Sequence, residues 1–278
     1  MQVIKTIEEM QKFSNAKRNE GKTVGFVPTM GFLHKGHLSL VKKAREESDV
    51  VVVSIFVNPT QFAPNEDFKS YPRDFEKDSE LCKEKGVDAI FYPSAEEMYK
   101  GETEFVEVGE MGKVLCGKSR PTHFRGVATV VAKLFKAVLP DSAYFGLKDF
   151  QQFVIIKKMT ENMNLDINIV GCPIVREKDR LAMSSRNAYL SKQEREEAIV
   201  LNKSLSIAEE MFSKGEKNAE KVRQTVSDKI SETSGKIDYV EIFDSASLKP
   251  VEEIEKGNRI GLAVFFGKTR LIDNRGFE

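Results

Sequence analysis

Val24-Gly25-Phe26-Val27-Pro28-Thr29-Met30-Gly31-Phe32-Leu33-His34-Lys35-Gly36-His37 passes from an apolar run into a polar turn that carries two of the chain's three histidines. Beyond it, Leu38, Leu40, Val41 and Ala44 recur at amphipathic-helix spacing. A short apolar run leading directly into such a helix reads as a parallel strand feeding its crossover. The histidines then lie in the turn at the strand's carboxyl end, the edge of an open α/β sheet where ligands bind. The following helix N-terminus offers unpaired N–H groups and the positive end of its dipole, which suit a phosphate. Gly36, lacking Cβ, lets the backbone between the two rings approach a ligand. The competing reading is a zinc site of His34, His37 and His123. The strand-to-helix placement and the scarcity of acidic neighbours favour phosphate.

Working outward, strand and helix patterns alternate through the first 175 residues. Thr23–Val27 is followed by a helix over His37–Ser48 and a buried-type strand over Val50–Val57. Phe75–Lys85 reads as helix, Val87–Tyr92 as strand, Thr103–Val108 as an alternating strand and Val127–Val138 as a nearly all-apolar helix. Ala143–Leu147, Phe150–Met163 and Ile167–Val175 continue as strand, helix and strand. Continuous apolar strands between helices predict a Rossmann-like parallel sheet with helices on both faces. After Val175 the pattern changes. The charged stretch Arg176-Glu177-Lys178-Asp179-Arg180 looks mobile, and helices over Lys192–Lys214 and Ala219–Thr233 precede strands over Tyr239–Phe243 and Gly261–Phe266. We therefore expect domains at 1–175 and 176–278, the second a smaller α+β unit closing over the site, with 176–180 as the hinge.

Composition narrows the function classes. Lys+Arg and Asp+Glu are equal at 43 each, so no net field draws this 278-residue chain to nucleic acid or an anionic membrane. The longest apolar stretch, Val50 to Val57, is far too short to span a bilayer. No apolar signal core precedes Glu8 and Glu9. Cys82, Cys116 and Cys172 are odd in number and form no CxxC pair, as expected of reduced thiols in a cytoplasmic protein. Charged residues at 31% are compatible with surface ion-pair networks.

Four further polar segments fall beside expected strand ends: Asn58-Pro59-Thr60-Gln61-Phe62, Pro121-Thr122-His123-Phe124-Arg125-Gly126, Phe145-Gly146-Leu147-Lys148-Asp149-Phe150-Gln151-Gln152, and Leu181-Ala182-Met183-Ser184-Ser185-Arg186-Asn187. Turn chemistry explains any one of them, Asn58-Pro59 as a turn or Asp149 as a helix cap. Four along one sheet edge exceed what turns require. Together with the His-x-Gly-His segment, and with Ser54-Ile55-Phe56-Val57 before Asn58, they resemble the pantothenate synthetase (pantoate–β-alanine ligase) family of the nucleotidylyltransferase superfamily. Phe32 and Lys35 fall where that family's pattern is variable, and beyond about Ser191 the likeness is looser.

The resemblance implies condensation of pantoate with β-alanine at the expense of ATP, through an enzyme-bound pantoyl adenylate, releasing AMP and pyrophosphate. It implies His34, His37, Lys148 and Arg186 as catalytic residues, His37 as proton donor. Met30, Gly36, Gly146, Asp149, Val175, Met183, Ser184 and Ser185 would join them in holding ATP. Gln61 and Gln152 would bracket pantoate, and Asn58 would line the same pocket with β-alanine entering at Gln61. A neutral amide suits that role, since it donates and accepts without neutralising the attacking carboxylate. Mg²⁺ would bridge phosphate oxygens with few protein ligands. The family further suggests a homodimer. His123 and Arg125 belong equally well to the site or to the helix that follows them. Other classes that fit the residues are a nucleotidylyltransferase that stops after nucleotide transfer, a zinc hydrolase and a non-catalytic nucleotide sensor.

Overall fold

The computed structural model describes residues 1–64, 66–101 and 104–278. Strands β1 (Gln2–Ile4), β2 (Val24–Thr29), β3 (Val50–Ile55), β4 (Ala89–Phe91), β5 (Ser142–Gly146) and β6 (Asn168–Cys172) form one parallel sheet in the order β1-β4-β3-β2-β5-β6. Helices α1 (Ile7–Asn19), α2 (Lys35–Glu47), α3 (Phe75–Glu84), the single turns α4 (Ala95–Met98) and α5 (Cys116–Ser119), then α6 (His123–Val138) and α7 (Phe150–Asn162) connect these strands. The period-two geometry of a strand explains how both sheet faces are filled. Val24, Phe26, Val50 and Val52 pack with residues of α1, α6 and α7, whereas Val27, Val51, Val53 and Ile55 pack with α2 and α3. Nearly continuous apolar strands are therefore required, as the sequence reads.

Strand order reverses at β2, which has β3 on one side and β5 on the other. A crevice opens at such a switch point beyond the strands' carboxyl ends. The turn after β2 carries both histidines and the turn after β5 carries Lys148 and Asp149, so the topology alone brings these residues together.

The chain continues through α8 (Lys192–Glu197), α9 (Val200–Ser213) and α10 (Ala219–Ser231) to an antiparallel sheet of β7 (Lys236–Asp244), β8 (Asn258–Phe266) and β9 (Thr269–Gly276). This part has its own core, in which Leu201, Leu205, Val222 and Val226 meet Ile242, Ile260 and Leu262. It is fastened to the larger sheet by Phe150 and Val154 of α7 packing with Phe243 and Leu248. The Arg259 guanidinium also sits 4.1 Å from the Phe150 ring centre. Among the described residues no helix is long and apolar enough to cross a membrane.

Several elements differ from the sequence reading. Thr103 lies outside the described residues, and 104–108 form no strand. The Val106 N–H instead donates to Thr129 Oγ1 of α6 at 2.9 Å, which lays the segment along that helix. The helix expected over Lys192–Lys214 breaks at Ala198–Ile199 into α8 and α9, with Ala198 fully buried at the bend. The stretch 176–180 is a tight turn. Glu177 N–H donates to Leu181 O at 2.8 Å, and the Arg176 guanidinium grips the buried Asp273 carboxylate of β9 at 2.6 and 2.9 Å. Arg176 thus anchors the start of this segment to β9, while Lys178, Asp179 and Arg180 are exposed. β1, α1 and β9 were not anticipated.

Breaking that pair leaves an uncompensated Arg176 charge that is only 15% exposed. Asp273→Ala should cost about 3 kcal/mol, the low end for a broken buried ion pair, read as a shift in the urea midpoint at constant slope. A loss below about 1 kcal/mol, the surface-pair range, would show that Arg176 simply turns to water.

Candidate active site

The histidine turn is assembled from the backbone outward. Gly31 (φ +80°) and Phe32 (φ +52°) are successive left-handed residues, and for Phe32 that conformation costs roughly 1–2 kcal/mol. Their conformation aims the next N–H groups at α3, where the buried Asp78 carboxylate accepts from Phe32 and Leu33 at 2.7 Å each. His34 then caps α2: its Nδ1 accepts from Gly36 N–H at 3.1 Å, and His37 Nδ1 accepts from His34 N–H at 3.3 Å. The rings lie 4.0 Å apart, tilted by 33°. A Cβ on Gly36 would fall 2.8 Å from His34 Cε1. The glycine between the histidines is thus demanded by the folded-back His34 ring, a more local reason than ligand approach.

These bonds fix the tautomers. A neutral imidazole that accepts at Nδ1 carries its proton on Nε2. Burial, reinforced by the Lys148 ammonium, pushes His34 down to about 4. Burial, His34 and Lys148 push His37 down to about 3. Both rings are therefore neutral at physiological pH, and each presents an Nε2–H donor at the wall of a cavity of about 220 Å³. Neutral imidazole held at a helix N-terminus is a recognised way to stabilise developing negative charge.

Gln61 and Asn58 follow β3. Asn58 is 1% exposed and uses its amide within the protein. Its Nδ2 donates to Gln61 Oε1 and Gly126 O at 3.1 and 3.2 Å, while its Oδ1 accepts from Thr60 N–H and Tyr99 Oη–H at 3.3 and 2.5 Å. Asn58 lines the cavity and, through these bonds, orients Gln61, leaving the Gln61 NH₂ to face Met30, whose Sδ lies 3.1 Å away. A Cβ on Gly126 would strike Thr60 O at 2.4 Å, so α6 reaches this loop only through a glycine. His123 belongs to the same support. Its Nδ1–H donates to Gln61 O at 2.9 Å, and burial pushes its pKa to about 3. Arg125 lies off the cavity, 4.6 Å over the Phe105 ring.

After β5, Gly146, Lys148, Asp149 and Gln152 all line the cavity. Asp149 makes no capping bond to α7, which removes the plain structural account of it, and its Oδ2 lies 3.7 Å from Lys148 Nζ. Asn274 of β9 donates to Leu147 O and Lys148 O at 2.9 Å each, so the second sheet sets the Lys148 backbone. The Gln152 side chain has no hydrogen-bond partner among the described residues, whereas that of buried Gln151 donates to Met111 O and Val114 O at 2.9 and 2.8 Å. Gln151 is structural; Gln152 is available.

The last wall is the segment from Val175 to Arg186. Met183 N–H donates to Val175 O at 3.0 Å, pairing the two residues expected at the nucleoside. Ser184 Oγ accepts from Arg186 N–H at 3.3 Å, and Ser185 Oγ donates to Phe32 O at 3.4 Å, joining this wall to the histidine turn. Arg186 departs from expectation. Two of its five N–H donors bind Asp67 at 3.0 and 2.9 Å, so its charge is already paired. Sequence reading missed Asp67, Asp78, Tyr99 and Asn274, whose roles exist only through contacts distant in sequence. Among the described residues no three His, Cys, Asp or Glu side chains converge to hold a metal. The zinc reading of His34, His37 and His123 therefore lacks a ligand set.

Comparison with known proteins gives the family and the fold. The pantoate-beta-alanine ligase family model matches residues 2–276. A pantothenate synthetase of Thermotoga neapolitana is 55% identical over 276 residues, covering 99% of each chain. The crystal structure of pantothenate synthetase from Thermus thermophilus superposes with a TM-score of 0.95 at 42% identity, covering 100% of both chains. The pantoate-beta-alanine ligase of Francisella tularensis, complexed with beta-gamma ATP and beta-alanine, gives 0.80 at 36% identity over 99% of this chain and 97% of that one.

The depressed histidines make stability depend on pH in a definite sense. Below the ordinary value of about 6.5 the unfolded chain binds protons that the folded one refuses, so stability falls as pH drops toward the folded values. His34, His37 and His123 share this sign, with folded values of about 4, 3 and 3. Urea unfolding from about pH 7 to about pH 4 should show the decline, and His37→Gln should flatten it. Parallel wild-type and variant curves would mean that His37 titrates normally in the folded protein.

Proposed function

The chain belongs to the pantoate-β-alanine ligase family, and from that premise we propose how the crevice at β2 and β5 makes pantothenate from pantoate, β-alanine and ATP. The observation carrying the reading is the pair of imidazoles, each accepting a backbone N–H at Nδ1, that line one cavity with Lys148 and the Gln61 and Gln152 amides. No protein nucleophile is needed. A pantoate carboxylate oxygen attacks the α-phosphorus of ATP, the bond from that phosphorus to the α,β-bridging oxygen breaks, and pyrophosphate leaves. The β-alanine amine then attacks the acyl carbon of the adenylate, losing a proton as the amide forms and AMP departs.

The protein's contribution is position and charge. His34 and His37 donate to phosphoryl oxygens as negative charge gathers on them, and Lys148 adds a fixed positive charge. Met30, Gly36, Gly146, Val175 and Met183 take the nucleoside side, with Asp149 accepting from a ribose hydroxyl. Ser184, Ser185 and Arg186 hold the outer phosphates. Arg186 must then share its guanidinium between phosphate and Asp67. Gln61 and Gln152 hold pantoate, whose hydroxyls and carboxylate need both donors and acceptors.

Mg²⁺ fits this site only as an ion carried by the nucleotide. Asp149 is the one carboxylate on the cavity wall among the described residues, and it already faces Lys148. Bound there, the ion would neutralise phosphate charge. We read residues 1–175 and 176–278 as two domains, the second supplying Asn274 behind Lys148. A homodimer and a cytoplasmic location complete the proposal; three buried free thiols suit a reducing compartment.

With ATP, Mg²⁺, pantoate and β-alanine the protein should release AMP and pyrophosphate in equal amounts. Without β-alanine, pyrophosphate–ATP exchange should persist and require pantoate. Release of ADP and phosphate would point to an acyl phosphate and overturn the adenylate route. His37→Ala should lower the exchange rate by roughly 10²–10³, the effect of losing one preorganised donor. Gln152→Ala should raise KM for pantoate more than for ATP, since the lost hydrogen bonds, worth about 1 kcal/mol net, go to the hydroxy acid. The reverse ranking would exchange the two pocket assignments.

A further inference from the structure

Asp78 stands outside the cavity, yet its carboxylate holds two successive N–H groups of the histidine turn. It is 1% exposed, and among the described residues no lysine, arginine or histidine pairs with it. A carboxylate buried without a cation is unfavourable unless backbone donors hold it. Here those donors are Phe32 N–H and Leu33 N–H, each at 2.7 Å, helped by the N-terminal turn of α3 in which Asp78 sits. The fit leaves no slack. A Cβ on Gly31 would lie 2.9 Å from Asp78 Oδ2, at a φ of +80° that side chains rarely adopt. Phe32, next in line, is held at φ +52°, a conformation it would leave if released.

Two site features hang on that conformation. The Phe32 carbonyl accepts from Ser185 Oγ at 3.4 Å, and one residue after Leu33 comes His34, whose ring folds back onto Gly36 N–H. We propose that Asp78 is a positioning residue for adenylate formation, its carboxylate pinning the Gly31-Phe32-Leu33 turn so that His34, His37 and Ser185 face one polyphosphate. This rests on the reading of the two histidines as donors to phosphoryl oxygens. It differs from a packing role for α3 because the strain it opposes sits in Phe32, which glycine would remove.

The test measures pantoate-dependent pyrophosphate–ATP exchange in the full-length protein. Asp78→Asn should keep the circular dichroism spectrum and the KM for pantoate while lowering kcat about 10- to 100-fold, the scale of a small misplacement of catalytic groups. Adding Phe32→Gly, which holds a positive φ without steric cost, should restore at least about threefold of that loss. Gly31→Ala, which pushes the same contact from the other side, should repeat the kcat defect and decides the matter if Asp78→Asn does not fold. Exchange within about threefold of wild type in a folded Asp78→Asn, or in Gly31→Ala when Asp78→Asn does not fold, would overturn the proposal. So would a defect that Phe32→Gly leaves unchanged. Absence of exchange in the wild-type protein would instead remove the ligase reading itself.

Discussion

Two imidazoles can stabilise a gathering negative charge as hydrogen-bond donors only while each is neutral and keeps its proton on the nitrogen facing that charge. The rest of the site follows from that requirement. Occupying Nδ1 with a backbone N–H selects the tautomer, which needs a helix beginning at His34 and a glycine at 36 so that the first ring can fold back. Keeping the rings neutral needs burial and a neighbouring cation, and Lys148 supplies the cation from the turn after the adjacent strand β5. The same Lys148 charge is the one proposed to meet the phosphates. In the proposed reaction, one placement of positive charge therefore reinforces what burial does to the histidines and meets the ligand they act on.

That placement depends on both sheets. The parallel sheet brings the turns after β2 and β5 together because strand order reverses between them. The antiparallel sheet finishes the job from behind: Asn274 holds the carbonyls of Leu147 and Lys148, and its neighbour Asp273 anchors Arg176 at the start of the segment that ends in Ser184, Ser185 and Arg186. Two adjacent residues of β9 thus set two different walls. Burying them is tolerable because each polar atom meets a partner, the condition under which polar networks specify a structure.

The parallel strands were legible because they are buried on both faces, so Val24–Val27 and Val50–Ile55 read as unbroken apolar runs. The histidines, Lys148, Gln61 and Gln152 were legible because they fall where such runs end. β1 was not, being three residues at a sheet edge with only Ile4 buried. β9 was not, because Thr-Arg-Leu-Ile-Asp-Asn-Arg-Gly lacks the composition of a strand, and its buried Asp273 and Asn274 make sense only beside Arg176 and Lys148. Within 176–180 the role of Arg176 was hidden for the same reason, since its partner, Asp273, lies in β9. Asp67 and Asp78 carried no local signal, and each reports the same limit: a carboxylate's partner is chosen by the fold.

Nitrogen-15 NMR of the three histidine rings in the ligand-free protein, followed from about pH 5 to about pH 8 where an ordinary histidine titrates, tests the central claim most directly. The account predicts that His34 and His37 stay neutral throughout with the proton on Nε2, while His123 carries its proton on Nδ1. A titration of His34 or His37 near about 6.5, or an Nδ1-protonated ring at either position, would contradict it.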